Sequence, residues 1–211
     1  FRSPDDAAER GPVGEPTPGS SRGQAILVVG DVPDAATAVA NRLLFTDGSR
    51  SRLQLLVSTR ARGPDQTCPP AVETIEYSPD PPAEPRSQAV GEVSDVVDGR
   101  LTSLGTTVSK RILEFSRPLD DQVDLRLCVD ALTGLLASHA REAVFRFVTM
   151  LTGQIRRVKG NGQFHLPLAW DADAAIQLAP LFDAVMEVRR VGGRYEYRWL
   201  LGGDTAEWRA F

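Results

Sequence analysis

The chain has 211 residues, of which 42% are hydrophobic and 25% charged, enough apolar material for one domain with a single substantial core. Its net charge of -4 and pI near 5.3 argue against nonspecific nucleic-acid binding, which needs a basic surface. No apolar run approaches the ~18–20 residues of a membrane span, and no secretory signal is visible. The start at Phe1, without a Met, reads as a processed or trimmed product.

Only Lys110 and Lys159 are lysines among the 24 basic residues; the other 22 are arginines. High genomic GC content explains such a bias without any physical cause. A recognition role for the planar guanidinium fork is the alternative. Cys68 and Cys128 are the whole thiol inventory, and with His139 and His165 they lack metal-ligand spacing. No metal site is expected, and a reducing cytoplasm is the simplest setting.

Residues 1–23 hold prolines, glycines and charges without periodicity and read as a flexible tail. Order begins at Gln24. Gln24–Gly30 (QAILVVG) reads as a buried strand and Asp34–Leu44 (DAATAVANRLL) as a helix. A phosphate-binding loop at that junction needs several glycines and a Lys-Ser/Thr pair, and the chain offers one glycine, two aspartates and a proline. Leu53–Thr59 and Val72–Tyr77 are the next strands. Residues 78–90, with Pro79, Pro81, Pro82 and Pro85, form an exposed Pro-rich loop that can be neither helix nor central strand.

Val93–Val97 is a short strand. Leu101, Leu104, Val108, Ile112 and Phe115 then recur at helical spacing, and Pro118 blocks continuation. Val123–Val129 is an apolar strand ending at Asp130, and Leu132–Ser138 is a short helix or turn. Arg141–Val158 is the longest helix, closed by Gly160 and Gly162. Gln163–Leu168 is a strand and Asp171–Leu181 a helix. Phe182–Arg190 and Arg194–Leu201 form a hairpin around Gly192-Gly193, and Glu207–Phe211 is a last edge strand. Strands alternating with helices, then a hairpin, predict one α/β domain over residues 24–211, with a mainly parallel sheet and an antiparallel C-terminal edge.

Several segments carry a family resemblance. The strand running into Asp130-Ala131-Leu132-Thr133 resembles the Walker B segment of RecA- and KaiC-like ATPases. The segments LTSLGTTVSKRIL (Leu101–Leu113), FRFVTMLTGQIRR (Phe145–Arg157), FHLPL (Phe164–Leu168) and LFDAVMEV (Leu181–Val188) add to it. Together they are similar to an archaeal, especially haloarchaeal, family of RecA/KaiC-related proteins often described as signal-transduction-like. The resemblance spans roughly Gln24–Arg198 and implies a RecA-like sheet flanked by helices.

It also implies a vestigial nucleotide site at Gly30, Asp31, Asp34, Thr37 and Asp130. Thr37 would stand for the magnesium-binding hydroxyl, but Ala36 occupies the lysine's place, and Asp31 and Asp34 set negative charge where phosphate would lie. Asp34 suits helix capping better. Where the catalytic glutamates would follow strand two, the chain reads Ser58-Thr59-Arg60. For Asp130 the choice is between a cap or polar remnant of the fold and a metal-water ligand; for His165, between a packed core residue and a sensor of the former site. His139, near a helix start, reads as surface.

Tyr195, Tyr197 and Trp199 share one parity of the hairpin, with Trp208 close by in sequence. They are either sheet packing or an exposed patch for a protein partner, self-association included. The leading expectation is a pseudo-ATPase: a non-catalytic RecA/KaiC-like interaction module in signalling or regulation, with no catalytic residue and no cofactor. One alternative is an ATPase in which Lys110, Arg42 or Arg60 replaces the missing lysine with ATP and magnesium. The other is a nucleic-acid binder using Arg156-Arg157-Lys159 and Arg189-Arg190-Arg194.

Overall fold

A computed structural model describes residues 23–32, 52–59, 73–77, 93–97, 99–115, 124–130, 132–201 and 204–210. The tail at 1–22, the helix expected at Asp34–Leu44, the Pro-rich loop at 78–90 and Cys68 lie outside them.

The strands are β1 (Gln24–Val29), β2 (Arg52–Ser58), β3 (Glu73–Tyr77), β4 (Val93–Val97), β5 (Asp124–Val129), β6 (Asn161–Leu166), β7 (Ala184–Val191), β8 (Arg194–Leu201), β9 (Asp204–Thr205) and β10 (Arg209–Ala210). The helices are α1 (Leu101–Phe115), α2 (Leu132–Ser138), α3 (Arg141–Arg157) and α4 (Asp173–Leu178), the last running into a 3-10 turn at Ala179–Leu181. All ten strands join one sheet in the order β10-β8-β7-β1-β6-β5-β2-β3-β4, with β9 also paired to β8.

From β7 to β4 every pairing is parallel, and those of β8 with β7, β9 and β10 are antiparallel. The α/β class, the mainly parallel sheet and the antiparallel C-terminal hairpin are therefore as the alternation of elements implies. The edge strand expected at Glu207–Phe211 is the two-residue β10, and β9 lies before it, both on β8. Their registers differ by one residue, Leu200 facing Thr205 and Tyr197 facing Arg209, so a bulge separates them.

Alternation along the strands sends odd and even residues to opposite faces. One face carries Leu27 and Val29 of β1, Leu127 and Val129 of β5, and Phe164 and Leu166 of β6. Against it pack Leu104, Val108 and Ile112 of α1, Leu132 and Leu135 of α2, Val144, Val148, Leu151 and Ile155 of α3, and Leu178 of α4. On the other face Ile26 and Val28 cluster with Met186, Val188 and Trp199. Arg126, Gln163 and His165 are buried on this second face too, each at most 3% exposed.

Close packing locates the chain reversal after α3. Lys159 takes φ 56 after α3, and the Gly160 N–H returns to the Ile155 carbonyl at 3.0 Å, stopping the helix. β6 then starts at Asn161, two residues earlier than the glycines alone suggest, because Gly162 fits against Phe164 and Ile155. Asp183 fastens the end of α3 to β1. It accepts the Ala25 N–H at 2.7 Å and the Arg156 Nε–H at 3.1 Å. No helix among the described residues is long and apolar enough to cross a membrane.

Candidate functional site

In an open parallel sheet, ligands settle beyond the carboxyl ends of the strands, where successive connections diverge. Here that point is β1. The chain leaves it for β2, three places along the sheet, and later crosses from β6 to β7 on its other side. The ends of β1, β6, β5 and β2 therefore open on one edge.

Register lines up the polar residues there. Val57 pairs with Val129, Val129 with Phe164, and Val28 with His165. Ser58, Asp130 and His165 thus form one row across three neighbouring strands, and strand parity puts all three on the second face. The fold brings together Asp130 and His165, which are far apart in sequence, with Gly30 at the end of the next strand.

Asp130 is heavily engaged. Its Oδ2 accepts the Ser58 hydroxyl at 2.8 Å. Its Oδ1 accepts the Thr59 backbone N–H at 2.8 Å and the Thr59 hydroxyl at 3.0 Å. Its own N–H donates to the Val57 carbonyl at 3.1 Å. The carboxylate therefore buckles the end of β5 to the end of β2. With about four lone-pair positions on an ionised carboxylate, three of them filled, one remains on Oδ2. α2 closes over the same corner at Gly134, where a Cβ would lie 3.1 Å from the Thr59 carbonyl.

Gly30 is engaged as well. Its N–H donates to the Leu168 carbonyl at 2.8 Å. Its φ is +148°, and a Cβ would stand 2.1 Å from the Val188 carbonyl oxygen. The glycine is there because β7 backbone passes against it. A phosphate cradle needs outward-facing amides, and this one is spent on the loop after β6. Asp34 and Thr37, with Ala36, Arg42 and Arg60, lie outside the described residues. Asp31 is described and exposed. Lys110 lies on α1, against the opposite face of the sheet from Asp130, and its ammonium is 4.0 Å from Glu114.

Among the described residues, those after β1 supply no cation, the Gly30 amide is taken, and Asp130 has one acceptor position left, so they offer magnesium and ATP little. Ser58 is 1% exposed and donates directly to a carboxylate, whereas an activated serine needs a base that takes its proton and is oriented by a third group. Among the described residues no three His, Cys, Asp or Glu side chains gather as a metal site.

His165 is 2% exposed and embedded in the sheet's second face, in the same row as Asp130. His139 corrects the surface reading. Its Nε2 meets the hydroxyl of Tyr77, whose side chain is buried at the end of β3, and that hydroxyl donates to the Gly99 carbonyl at 3.0 Å.

The aromatic residues of the hairpin do not form one exposed patch. Trp199 is 6% exposed and packs with Met186 and Val188, and Tyr197 lies against the same cluster. Trp208 sits on the other side of β8, between the guanidinium groups of Arg189 at 3.8 Å and Arg198 at 4.4 Å. Those arginines pair across the strands with Glu196 at 2.7 Å and Glu187 at 2.6 Å, and Arg190 lies over Tyr195. Arg156, Arg189 and Arg190 thus make contacts within the chain.

Sequence reasoning missed the partners of Asp130. A Ser-Thr pair ends β2, but nothing local in the sequence sets it beside Asp130, 72 and 71 residues further on. It also missed Arg126 and Gln163, which are buried on the second face with His165, because LRLCVD reads as simply apolar.

The fold and its strand-end polar row define a mostly parallel α/β domain with an antiparallel hairpin edge. The chain belongs to the DUF7504 family, a family of unknown function, whose model matches residues 23–188. No curated protein matches it. The matched span ends within β7, so β8, β9 and β10 lie beyond it.

Proposed function

We propose that this chain is a RecA/KaiC-like scaffold that has lost ATP hydrolysis and acts through protein contacts in signalling or regulation, in the cytoplasm. The observation that carries the reading is the Asp130 clamp. The aspartate that the resemblance assigns to magnesium chemistry is bonded to Ser58 and Thr59 at the end of β2, the place where that chemistry would put a catalytic carboxylate. A second support is the Gly30 amide, bonded within the fold. The order of the central strands, with the ends of β1 and β5 on one edge, agrees with the resemblance but belongs to many α/β proteins.

A thermal-shift series with magnesium and ATP tests it. A ligand at a hundred times its Kd stabilises the folded state by about 2.7 kcal/mol. The expected result is no shift at millimolar ATP and no phosphate release. A clear shift that Arg60→Ala removes would instead favour nucleotide binding through an unconventional loop.

A further inference from the structure

A groove of about 800 Å3 runs between α1 and α3 on the helical face, away from the strand-end row. Gly105 and the buried Phe147 form its floor; Leu101 and Leu113 on one side, Ala143 and Met150 on the other, form its walls. Leu113 is 47% and Met150 37% exposed, and both line this one cleft. The absent side chain at residue 105 helps keep the trench open: a Cβ there would lie 3.2 Å from the Met150 methyl.

Polar ties hold the two helices in place beneath it. The Gln154 amide donates to the Ser109 hydroxyl at 2.9 Å, and that hydroxyl reaches the Gly105 carbonyl at 2.6 Å. The trench is built into the helix pair, not left by loose packing.

Two cations, Lys110 and Arg146, line it against one carboxylate, Glu114. Glu114 lies 3.1 Å from Arg111, which also reaches Glu73 at 3.5 Å, and 4.0 Å from Lys110. Lys110 is itself highly exposed. Arg146 stands at the other wall with no ion pair among the described residues. From Leu101 to Leu113 the trench follows α1 for about 18 Å at 1.5 Å per residue, which is the length of some three helical turns.

We infer that this groove docks an amphipathic helix of a protein partner, with apolar residues at i, i+4 and i+7 on the trench and acidic residues over Lys110 and Arg146. A second copy of the chain presenting the same face would set these cations against each other, so the occupant is a different, acidic partner. This deepens the interaction-module reading by giving it a surface.

Two fluorescein-labelled helical peptides, each about five turns long, test it by anisotropy against the full chain. Both carry leucines at i, i+4 and i+7; one has glutamates on the flanking positions, the other lysines. The acidic peptide is expected to bind saturably. Met150→Glu and Arg146→Glu should each weaken it about tenfold or more while leaving the melting curve unchanged, since both side chains are exposed. Four results overturn the inference: no saturable binding of the acidic peptide, equal binding of the lysine peptide, affinity indifferent to both substitutions, or a dimer in sedimentation that Met150→Glu dissolves. ATP titration reads the other site. ATP binding with peptide binding intact rejects the non-catalytic reading alone, and peptide failure without ATP binding rejects the groove alone.

Discussion

Removing the Asp130 carboxylate would take three hydrogen bonds from Ser58 and Thr59 at the end of β2 and unfasten β5 from it. Hydrogen bonds to charged groups contribute about 1.5–3 kcal/mol each. Asp130→Ala is therefore expected to lower the unfolding free energy by about 2–4 kcal/mol in urea denaturation. An aspartate kept for chemistry alone would leave stability unchanged or raised on removal, and that result would contradict the clamp. Gly30→Ala tests the neighbouring strand end. The added methyl carbon would meet the Val188 carbonyl oxygen at 2.1 Å, at a φ that side chains resist. A loss of about 3 kcal/mol or more, or failure to fold, is expected; a neutral variant would mean that β7 does not pass there. Legibility at this scale was partial. Asp130 stood out because it ends an apolar run, but its partners sit 71 and 72 residues earlier in the chain, and no local pattern joins positions so far apart.

Among the elements, the regular ones were readable and their junctions less so. α1 and β8 occupy the residues their periodicity marks, Leu101–Phe115 and Arg194–Leu201, because each repeats a buried position at its own period. The expected helix at Asp171–Leu181 is shorter, Asp173–Leu178, with a 3-10 turn where Pro180 cannot continue an α-helix. The hairpin shows why composition alone misleads. Tyr, Trp and Arg in alternation look like a recognition surface, yet Trp199 is core and Trp208 is packed between two arginines already paired with Glu187 and Glu196. Trp208→Ala should cost about 1 kcal/mol, the sum of two exposed cation–π contacts. It should also release β9 and β10 to limited proteolysis before the rest of the sheet. A C-terminal edge equally resistant with and without Trp208 would show that the sandwich does not hold it.

At the scale of the molecule, the class of fold followed from alternating strands and helices, while the strand order did not, since parallel neighbours are chosen by packing far from the turns that join them. The site was legible as a deficit: no lysine after β1, no carboxylate after β2. The structure adds that Gly30 after β1 bonds to Leu168, and that Ser58 and Thr59 at the end of β2 bond to Asp130. Isothermal titration of the full chain with ATP in excess magnesium tests the whole account most directly. It predicts heats indistinguishable from dilution up to millimolar nucleotide. A saturable one-to-one isotherm with a micromolar Kd, lost on Gly30 or Asp130 substitution in variants that still fold, would contradict it.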